Sequence, residues 1–402
     1  MNFGHIFTVF RKELADMLRD KRTLISMIAV PVVIMPLLIL GMGALTASTV
    51  SKARKETPRV MVLGESNSPS LMRAMRALDH VTIVPPSQDF TNQISEKTIR
   101  AAAEIPEKFD EAMEEGILAS VKIYVYEGEI KSGFAAQTLE RFFRDYRDDA
   151  VRLRLEQRQL PKHFIRPFEI ERQNVAPASK VTGNILGGVL PYMVILLCMI
   201  GGMYPAMDLT AGEKERGTME TLLCSPVHRV NLVLGKFLMV LTAALTTALL
   251  SILSIAGTFQ IGKRALGGSM SSEAGTMALS IDPWSVLGVF AMVLPVAFML
   301  SAAQLAISLF ARSFKEAQTY VTPLIFLTII PSMVSLAPGI ELNLKLALVP
   351  ILNVSLVCKE IMTGTWHWPY IAVIFGSTTL LALGALFLAV KLFQREKVLL
   401  RA

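Results

Sequence analysis

The polar residues best suited to chemistry or to partner binding lie in one short segment between two long apolar runs. Residues 208–229 read DLTAGEKERGTMETLLCSPVHR, and the first half of this segment mixes acidic and basic side chains. Thr218–Cys224 predicts a short amphipathic helix that stops at Ser225-Pro226, because a residue before proline avoids the helical conformation. Such a surface helix can dock a partner protein. The alternative is a loop that merely joins its two flanking runs, and the residues alone favour neither.

The rest of the chain offers no recognisable catalytic or metal-binding set. Cys198, Cys224 and Cys358 lack metal-ligand spacing, and the five histidines are scattered. Gly257–Arg264 nearly matches a phosphate-binding loop, but Arg264 replaces the hydroxyl that would meet magnesium. The apolar runs contain no paired carboxylates and no nucleophile–base set. The sequence therefore predicts no enzyme activity, and neither a cofactor nor a metal bound by this chain.

Composition indicates a membrane protein. Apolar residues make up 52% of the 402 residues, and the mean hydropathy is +0.48, which few water-soluble chains tolerate. A span needs about 20 apolar residues, and six runs qualify: Leu24–Thr49, Val181–Met207, Phe237–Ile261, Trp284–Leu309, Thr319–Leu336 and Tyr370–Val390. The first run is too long for a cleaved signal peptide. A seventh stretch, 346–362, is interrupted by proline and charge and predicts a re-entrant or half-crossing segment. The predicted fold class is mainly α, polytopic, with six transmembrane helices.

The placement of basic residues predicts the topology. The formal net charge is +7, and the excess lies beside the apolar runs, in residues 1–22, 208–236, 310–318 and the C-terminal tail. The positive-inside rule therefore places both termini in the cytoplasm and residues 51–180 outside. We expect a multi-pass protein of the plasma membrane, the inner membrane of a bacterium. No basic face interleaved with aromatics is present, so nucleic-acid binding is not predicted.

The segment 51–180 has the pattern of a folded α+β extracytoplasmic domain, inserted between transmembrane helices 1 and 2. Short runs rich in β-branched residues predict strands at Arg59–Leu63, Val81–Val84, Lys122–Tyr126 and Phe164–Glu171. Helices are predicted at Ser70–Leu78, Glu107–Glu115 and Gly133–Leu160. The predicted divisions of the chain are 1–22, 23–50 (helix 1), 51–180, 181–207 (helix 2), 208–236 (cytoplasmic loop) and 237–402 (helices 3–6 and a short cytoplasmic tail).

Residues 1–22 predict a cytoplasmic amphipathic helix that lies in the plane of the lipid bilayer surface. Apolar residues recur at helical spacing over His5–Lys21. The predicted membrane-interface residues are Phe7, Phe10, Arg11, Lys12, Arg19, Lys21 and Arg22, with the basic ones available to anionic headgroups. A soluble helix packed on another protein surface is the alternative.

One motif resembles a known family. Glu213–Val227 (EKERGTMETLLCSPV), followed by Gly235-Lys236, closely resembles the signature of ATP-binding-cassette (ABC) type-2 exporter permeases. The chain is most similar to their NatB-like branch, which is associated with sodium efflux. The lead-in Arg11–Thr23, the large domain after the first span and the segment Pro350–Gly364 extend the resemblance over nearly the whole length.

The resemblance implies a permease subunit that works with a separate ABC ATPase subunit, where ATP and magnesium would bind, and as a homodimer or heterodimer of permeases. It also implies that the loop is a coupling helix seated in a groove of that ATPase. Glu213, Glu215, Arg216 and Glu220 would make polar contacts there, and Leu222, Leu223 and Pro226 would form an apolar plug. The full implied coupling set is Glu213, Lys214, Glu215, Arg216, Gly217, Thr218, Glu220, Leu222, Leu223, Ser225 and Pro226.

The sequence does not identify the cargo, and it leaves one rival function open. The spans contain almost no ionisable residue, which disfavours a proton-coupled transporter. The same scarcity of ionisable residues complicates a sodium pathway within the bilayer, although backbone carbonyls at proline-broken positions or along a dimer seam could still coordinate sodium. A lipid, a drug or another amphiphile would suit the apolar lining equally well. A rival of another class is a membrane-anchored sensor or structural protein whose external domain binds a ligand.

Overall fold

A computed structural model describes residues 2–78, 80–161, 178–266, 283–337, 340 and 342–395. The chain divides into two compact units, a helical unit of residues 1–40 and 174–402 and a sheet-containing unit of residues 41–173. The predicted strand at Phe164–Glu171 lies outside the described residues.

The helical unit is built mainly from long helices. Its elements begin with α1 (Phe3–Arg19), α2 (Lys21–Ala29) and a π-helical turn at Val30–Ile34. This turn leads into α3 (Met35–Lys55), whose residues from Gly41 onward belong to the sheet-containing unit. After the sheet-containing unit come α8 (Ala178–Met207), a second π-helical turn (Asp208–Gly212), α9 (Glu213–Glu215), α10 (Thr218–Leu223), α11 (Arg229–Leu266), α12 (Pro283–Ser308), α13 (Phe314–Val334), a 3-10 turn (Leu346–Leu348), α14 (Leu352–Met362) and α15 (Trp368–Phe393).

Six helical segments among the described residues are long and apolar enough to cross a membrane. They are Thr23–Ala53, Gly187–Glu215, Arg229–Thr258, Pro283–Ser308, Phe314–Val334 and Trp368–Phe393. The six predicted runs and the mainly helical class are thus confirmed by length and composition. The third helix begins at Arg229, so the last residues of the predicted 208–236 loop are its first two turns.

The interrupted stretch 346–362 forms a short helix rather than a full span. Helix α14 has 11 residues, and a rise of 1.5 Å per residue gives it about half the thickness of a hydrocarbon core. Most of its side chains are buried among the other helices of the unit. The re-entrant path through a bilayer stays a prediction.

Helix α8 lies at the centre of the helical unit. It packs against α11, α12, α13 and α14, and small residues allow the close approach. A methyl group built on Gly201 of α8 would come 2.3 Å from the Thr247 hydroxyl oxygen of α11. On the α12 side, the buried Gln304 side chain donates its Nε2–H to the carbonyl oxygen of Met199, at 2.8 Å.

The sheet-containing unit has a four-stranded mixed sheet in the order β2-β1-β3-β4. The strands are β1 (Arg59–Leu63), β2 (Thr82–Val84), β3 (Ala101–Glu104) and β4 (Lys122–Val125), and the helices are α4 (Pro69–Arg76), α5 (Phe90–Ser95), α6 (Phe109–Glu115) and α7 (Ile130–Gln157). The central strand β1 pairs in parallel with β2 and β3, whereas β4 runs antiparallel to β3.

Both faces of this sheet are covered, which explains the continuous apolar run in β1. Val60 and Val62 face a core shared with α4 and α7, while Met61 faces Ile94 of α5. All three of these β1 side chains are fully buried, as expected of a strand with helices on both sides. The predicted mixed α and β content is confirmed.

Candidate functional site

The segment that follows α8 is the candidate site, and a glycine gives it its shape. The chain leaves α8 through the π-helical turn and α9, then reverses at Gly217, whose φ is +70°. Glycine adopts this left-handed conformation without a steric cost. Helix α10 then runs over Thr218–Leu223, one residue shorter than predicted, and the Ser225 hydroxyl donates to the carbonyl of Leu222 at 2.7 Å.

A buried ion cluster ties this segment to two other helices. The Lys236 ammonium group, fully buried on α11, lies 2.5 Å from a carboxylate oxygen of Glu213 and 3.8 Å from one of Glu13 on α1. It also donates to the carbonyl oxygen of Leu209 at 2.8 Å. Glu13 and Glu213 are themselves 2% and 5% exposed. At the edge of the cluster, the half-exposed Lys12 ammonium lies 3.2 Å from Glu13. Two cations and two carboxylates thus meet where three elements join.

Two further contacts hold the segment to the junction of α12 and α13. The Lys214 ammonium donates to the carbonyl oxygens of Leu309 and Ala311. A carboxylate oxygen of Glu215 accepts from the backbone N–H of Phe314, at 2.7 Å. The segment is therefore bonded directly to α11 and to the α12–α13 junction, and through Lys236 to α1.

The Arg216 guanidinium bonds back to the end of α8. It donates to a carboxylate oxygen of Asp208 at 2.8 Å, and this hydrogen bond holds the pKa of Arg216 above its ordinary value. Both side chains are about half exposed, so the pair contributes little stability by itself.

The predicted coupling residues divide into an inner group, which is buried or partly buried, and an outer group, which is exposed. Glu213 is buried, Lys214, Leu222, Leu223 and Ser225 are partly buried, and Glu215, Arg216, Gly217, Thr218, Glu220 and Pro226 are exposed. Leu222 and Leu223 pack beside the buried Met219 against a cluster that includes Phe237 and Phe393. In this conformation the Glu213 carboxylate and both leucines face their own chain. Within the outer group, Glu220 and Pro226 are the clearest surface features.

The N-terminal helix is amphipathic, as predicted, and one face of it packs on α11. Ile6 is buried, and Val9, Phe10 and Met17 pack against the same apolar cluster as α10. The approach is close, because a methyl group built on Gly235 would lie 2.6 Å from Val9 Cγ1. The alternative prediction for α1 was a soluble helix packed on another surface. The packing of this face agrees with that part of the alternative.

The predicted membrane-interface residues lie mostly on the other faces of α1 and just beyond it. Phe7 is 60% exposed and Phe10 is half-buried, while the four basic residues described there are exposed, namely Arg11, Lys12, Arg19 and Lys21. The side chain of Arg22 lies outside the described residues. Their contact with lipid stays a prediction.

Sequence reasoning missed Glu13 and the pairing of Lys236. One signal was available, since Glu13 interrupts the apolar stripe formed by Ile6, Phe10 and Met17 at helical spacing. A carboxylate on such a stripe needs a buried cation as its partner.

The described residues define a class of protein: a multi-pass membrane protein with a mixed-sheet unit between its first two candidate spans and a bonded polar loop after the second. The family model described as "ABC-2 family transporter protein" matches residues 21–391. The chain therefore belongs to the ABC-2 transporter family, as its permease subunit and not its ATPase. ABC permeases pair with separate ATPase subunits, which generally bind the ATP.

A relative from another organism is similar to this chain over most of the length of both proteins. The ABC transporter permease protein NatB of Bacillus subtilis (strain 168) is 27% identical over 363 residues, which cover 89% of each chain.

Proposed function

We propose that this permease exports its cargo from the cytoplasm, and that the segment 213–226 receives the mechanical work of the ATPase. The buried cluster of Glu13, Lys236 and Glu213 is the observation that carries this proposal. A loop that only joined two helices would need no buried charges, since taking ions out of water is costly unless they are paired. Here the pairing bonds the loop directly to α11 and, through Lys236, to α1.

The proposed sequence of events follows from these bonds. ATP binding closes two ATPase subunits on a dimer of permeases, and each ATPase presses on the outer group, Glu220 and Pro226 above all. Lys236 then transmits the displacement to α11, and Glu13 transmits it to α1. The packed helices are stiff enough to move together, because protein interiors have few voids. The candidate spans thereby shift between inward-facing and outward-facing states.

This assignment requires the loop and both termini to be cytoplasmic, with residues 51–180 outside. The basic flanks support that orientation. On the cytoplasmic side, the exposed Phe7 and the basic residues of α1 would rest on anionic headgroups while Ile6 and Glu13 stay against α11. The short buried helix α14 would enter the bilayer without crossing it.

Sodium is the first cargo to test. Three side-chain oxygens on α12 are buried and have no hydrogen-bond partner among the described residues: Ser301 Oγ, Gln304 Oε1 and Ser308 Oγ. Their spacing places them on one face of the helix, and sodium prefers oxygen ligands. Hydroxyls elsewhere in these helices donate to the carbonyl four residues earlier, as Thr246 does to Thr242 at 2.7 Å. An amphiphile is the alternative cargo, favoured by the apolar remainder of the spans.

The test is to purify the permease with the ABC ATPase that co-purifies with it, and to reconstitute the complex in liposomes. We expect ATP-dependent sodium movement, with an associated rise in ATP hydrolysis. Gln304→Leu should reduce sodium transport about tenfold, whereas Gln318→Leu, an exposed glutamine on α13, should not. Normal sodium transport by Gln304→Leu would reject the sodium pathway along α12. A chain that never associates with an ATPase would reject the coupling role as well.

A further inference from the structure

A basic cavity in the sheet-containing unit has no part in the function proposed above. Its volume is about 440 Å³, within the range of small-molecule sites, about 300–1,000 Å³. It is lined by the last turn of α3 and the residues that follow it, by His80, by Arg100 just before β3, and by the first half of α7. Five of its lining side chains are basic, and one is acidic: Lys55, His80, Arg100, Lys131 and Arg141 against Glu56.

Arg100 is held firmly at the cavity wall. Its guanidinium donates to a carboxylate oxygen of Glu129 at 2.6 Å, and its side chain is only 18% exposed. Its carbonyl oxygen accepts from the Ser132 hydroxyl at 2.6 Å, and that hydroxyl accepts from the backbone N–H of Tyr126 at 2.9 Å. These bonds fix the guanidinium before any ligand arrives, which lowers the entropic cost of binding.

The cations in the cavity outnumber the carboxylates that neutralise them. Glu56 forms an ion pair with Lys131, and the hydrogen bond from Lys131 holds the pKa of Glu56 below its ordinary value. The Glu129 carboxylate neutralises the positive charge of Arg100. Lys55 and Arg141 are exposed and have no ion-pair partner within the described part of the chain. The cavity therefore keeps about two uncompensated positive charges.

We propose that this cavity binds a phosphate group. A phosphate carries up to two negative charges and accepts several hydrogen bonds, which suits a guanidinium beside ammonium groups. Two sources share this chemistry. One is the headgroup of an anionic phospholipid, because Ala53 both lines the cavity and ends the first candidate span. The other is a free phosphate compound in the surrounding medium.

The experiment uses the full chain and two probes. Inorganic phosphate is titrated into the detergent-purified protein by calorimetry, and lipid retention is measured by native mass spectrometry after incorporation into nanodiscs of phosphatidylglycerol and phosphatidylcholine. The test variants are Lys55→Gln and Arg141→Gln, which remove exposed side chains that have no ion-pair partner among the described residues. The control is Arg144→Gln, an exposed arginine on α7 outside the cavity.

Each test variant should weaken the binding of the effective probe about tenfold, and the control should leave it unchanged. Saturable binding of inorganic phosphate would identify a free compound as the source. Retention of phosphatidylglycerol alone would identify the lipid headgroup. The proposal is overturned if neither probe binds, or if Arg144→Gln weakens binding as much as the two cavity variants, because the attraction would then be a general effect of positive charge.

Discussion

The Lys236 ammonium group lies 2.5 Å from a Glu213 carboxylate oxygen, and neither side chain reaches the surface. Glu213 belongs to the motif that resembles the signature of ABC-2 permeases, where its implied role was contact with the ATPase. In the structure it bonds the loop to helix α11, and its contact with the ATPase stays a prediction. The residues exposed around it include Glu215, Arg216, Thr218 and Glu220.

The first prediction concerns Lys236. Lys236→Met should destabilise the permease by about 3–5 kcal/mol, because it leaves the Glu213 carboxylate buried without its cation and leaves Glu13 with only the half-exposed Lys12. The midpoint of denaturation in detergent measures this. Lys315→Met, at an exposed lysine of α13, should change it little.

The triple variant Lys236→Met, Glu13→Gln, Glu213→Gln separates stability from transmission. It should recover most of the lost stability, because no buried charge remains unpaired. It should nevertheless lose the stimulation of ATP hydrolysis by cargo. A triple variant that transports normally would show that the cluster only stabilises the fold.

The second prediction concerns the outer face of α10. Glu220→Lys should reduce the affinity for the ATPase about tenfold or more without lowering the denaturation midpoint, because Glu220 is exposed. Pull-down of the ATPase at graded concentrations measures this affinity. The matched control, Glu114→Lys on exposed α6, lies on the opposite side of the membrane in the proposed topology. Equal binding by both variants would mean that the ATPase docks elsewhere.

The third prediction concerns the close approach of α8 and α11. Gly201→Ala should destabilise the protein by about 1–3 kcal/mol, since the added methyl group would overlap the Thr247 side chain. Gly257→Ala, where a methyl group meets nothing within 4 Å, should be neutral or slightly stabilising. Thermal unfolding of the two variants in one detergent compares them. Equal midpoints would show that these two helices leave room for a methyl group.

The fourth prediction tests the orientation of the chain. Cys224 is exposed on the loop, whereas Cys198 and Cys358 are buried. A membrane-impermeant maleimide should therefore label the permease only after the cells are permeabilised. Leu118→Cys, at a residue that is 96% exposed in the sheet-containing unit, should be labelled in intact spheroplasts that also carry Cys224→Ser. The reverse pattern would invert the topology.

The sequence predicted the long helices well, because length and hydropathy decide which segments can span a membrane. The strands were harder to predict from the sequence. β1 was evident from its β-branched residues, but β3 reads Ala-Ala-Ala-Glu, and alanine is the strongest helix former. Tertiary pairing with β1 and β4 overrides that preference. The short helix α5 was missed for a related reason, since six residues carry too little periodicity.

The candidate site was predicted in part. The short helix predicted over Thr218–Cys224 is present as α10, Thr218–Leu223, and its Met219 side chain is buried. No local pattern could pair Glu13 with Lys236, because the two residues lie on helices separated by a complete folded unit in the chain. A buried ion pair of this kind is a property of the tertiary structure.

The position of Glu13 has a consequence for how the protein is made. As the ribosome synthesises the chain, α1 emerges before its partner on α11, which follows only after two candidate spans and the whole sheet-containing unit. Until α11 is in place, Glu13 has no buried cation to meet, so we expect α1 to stay undocked. We expect the N-terminal helix to be among the last elements to dock, and its docking to mark a permease that is complete.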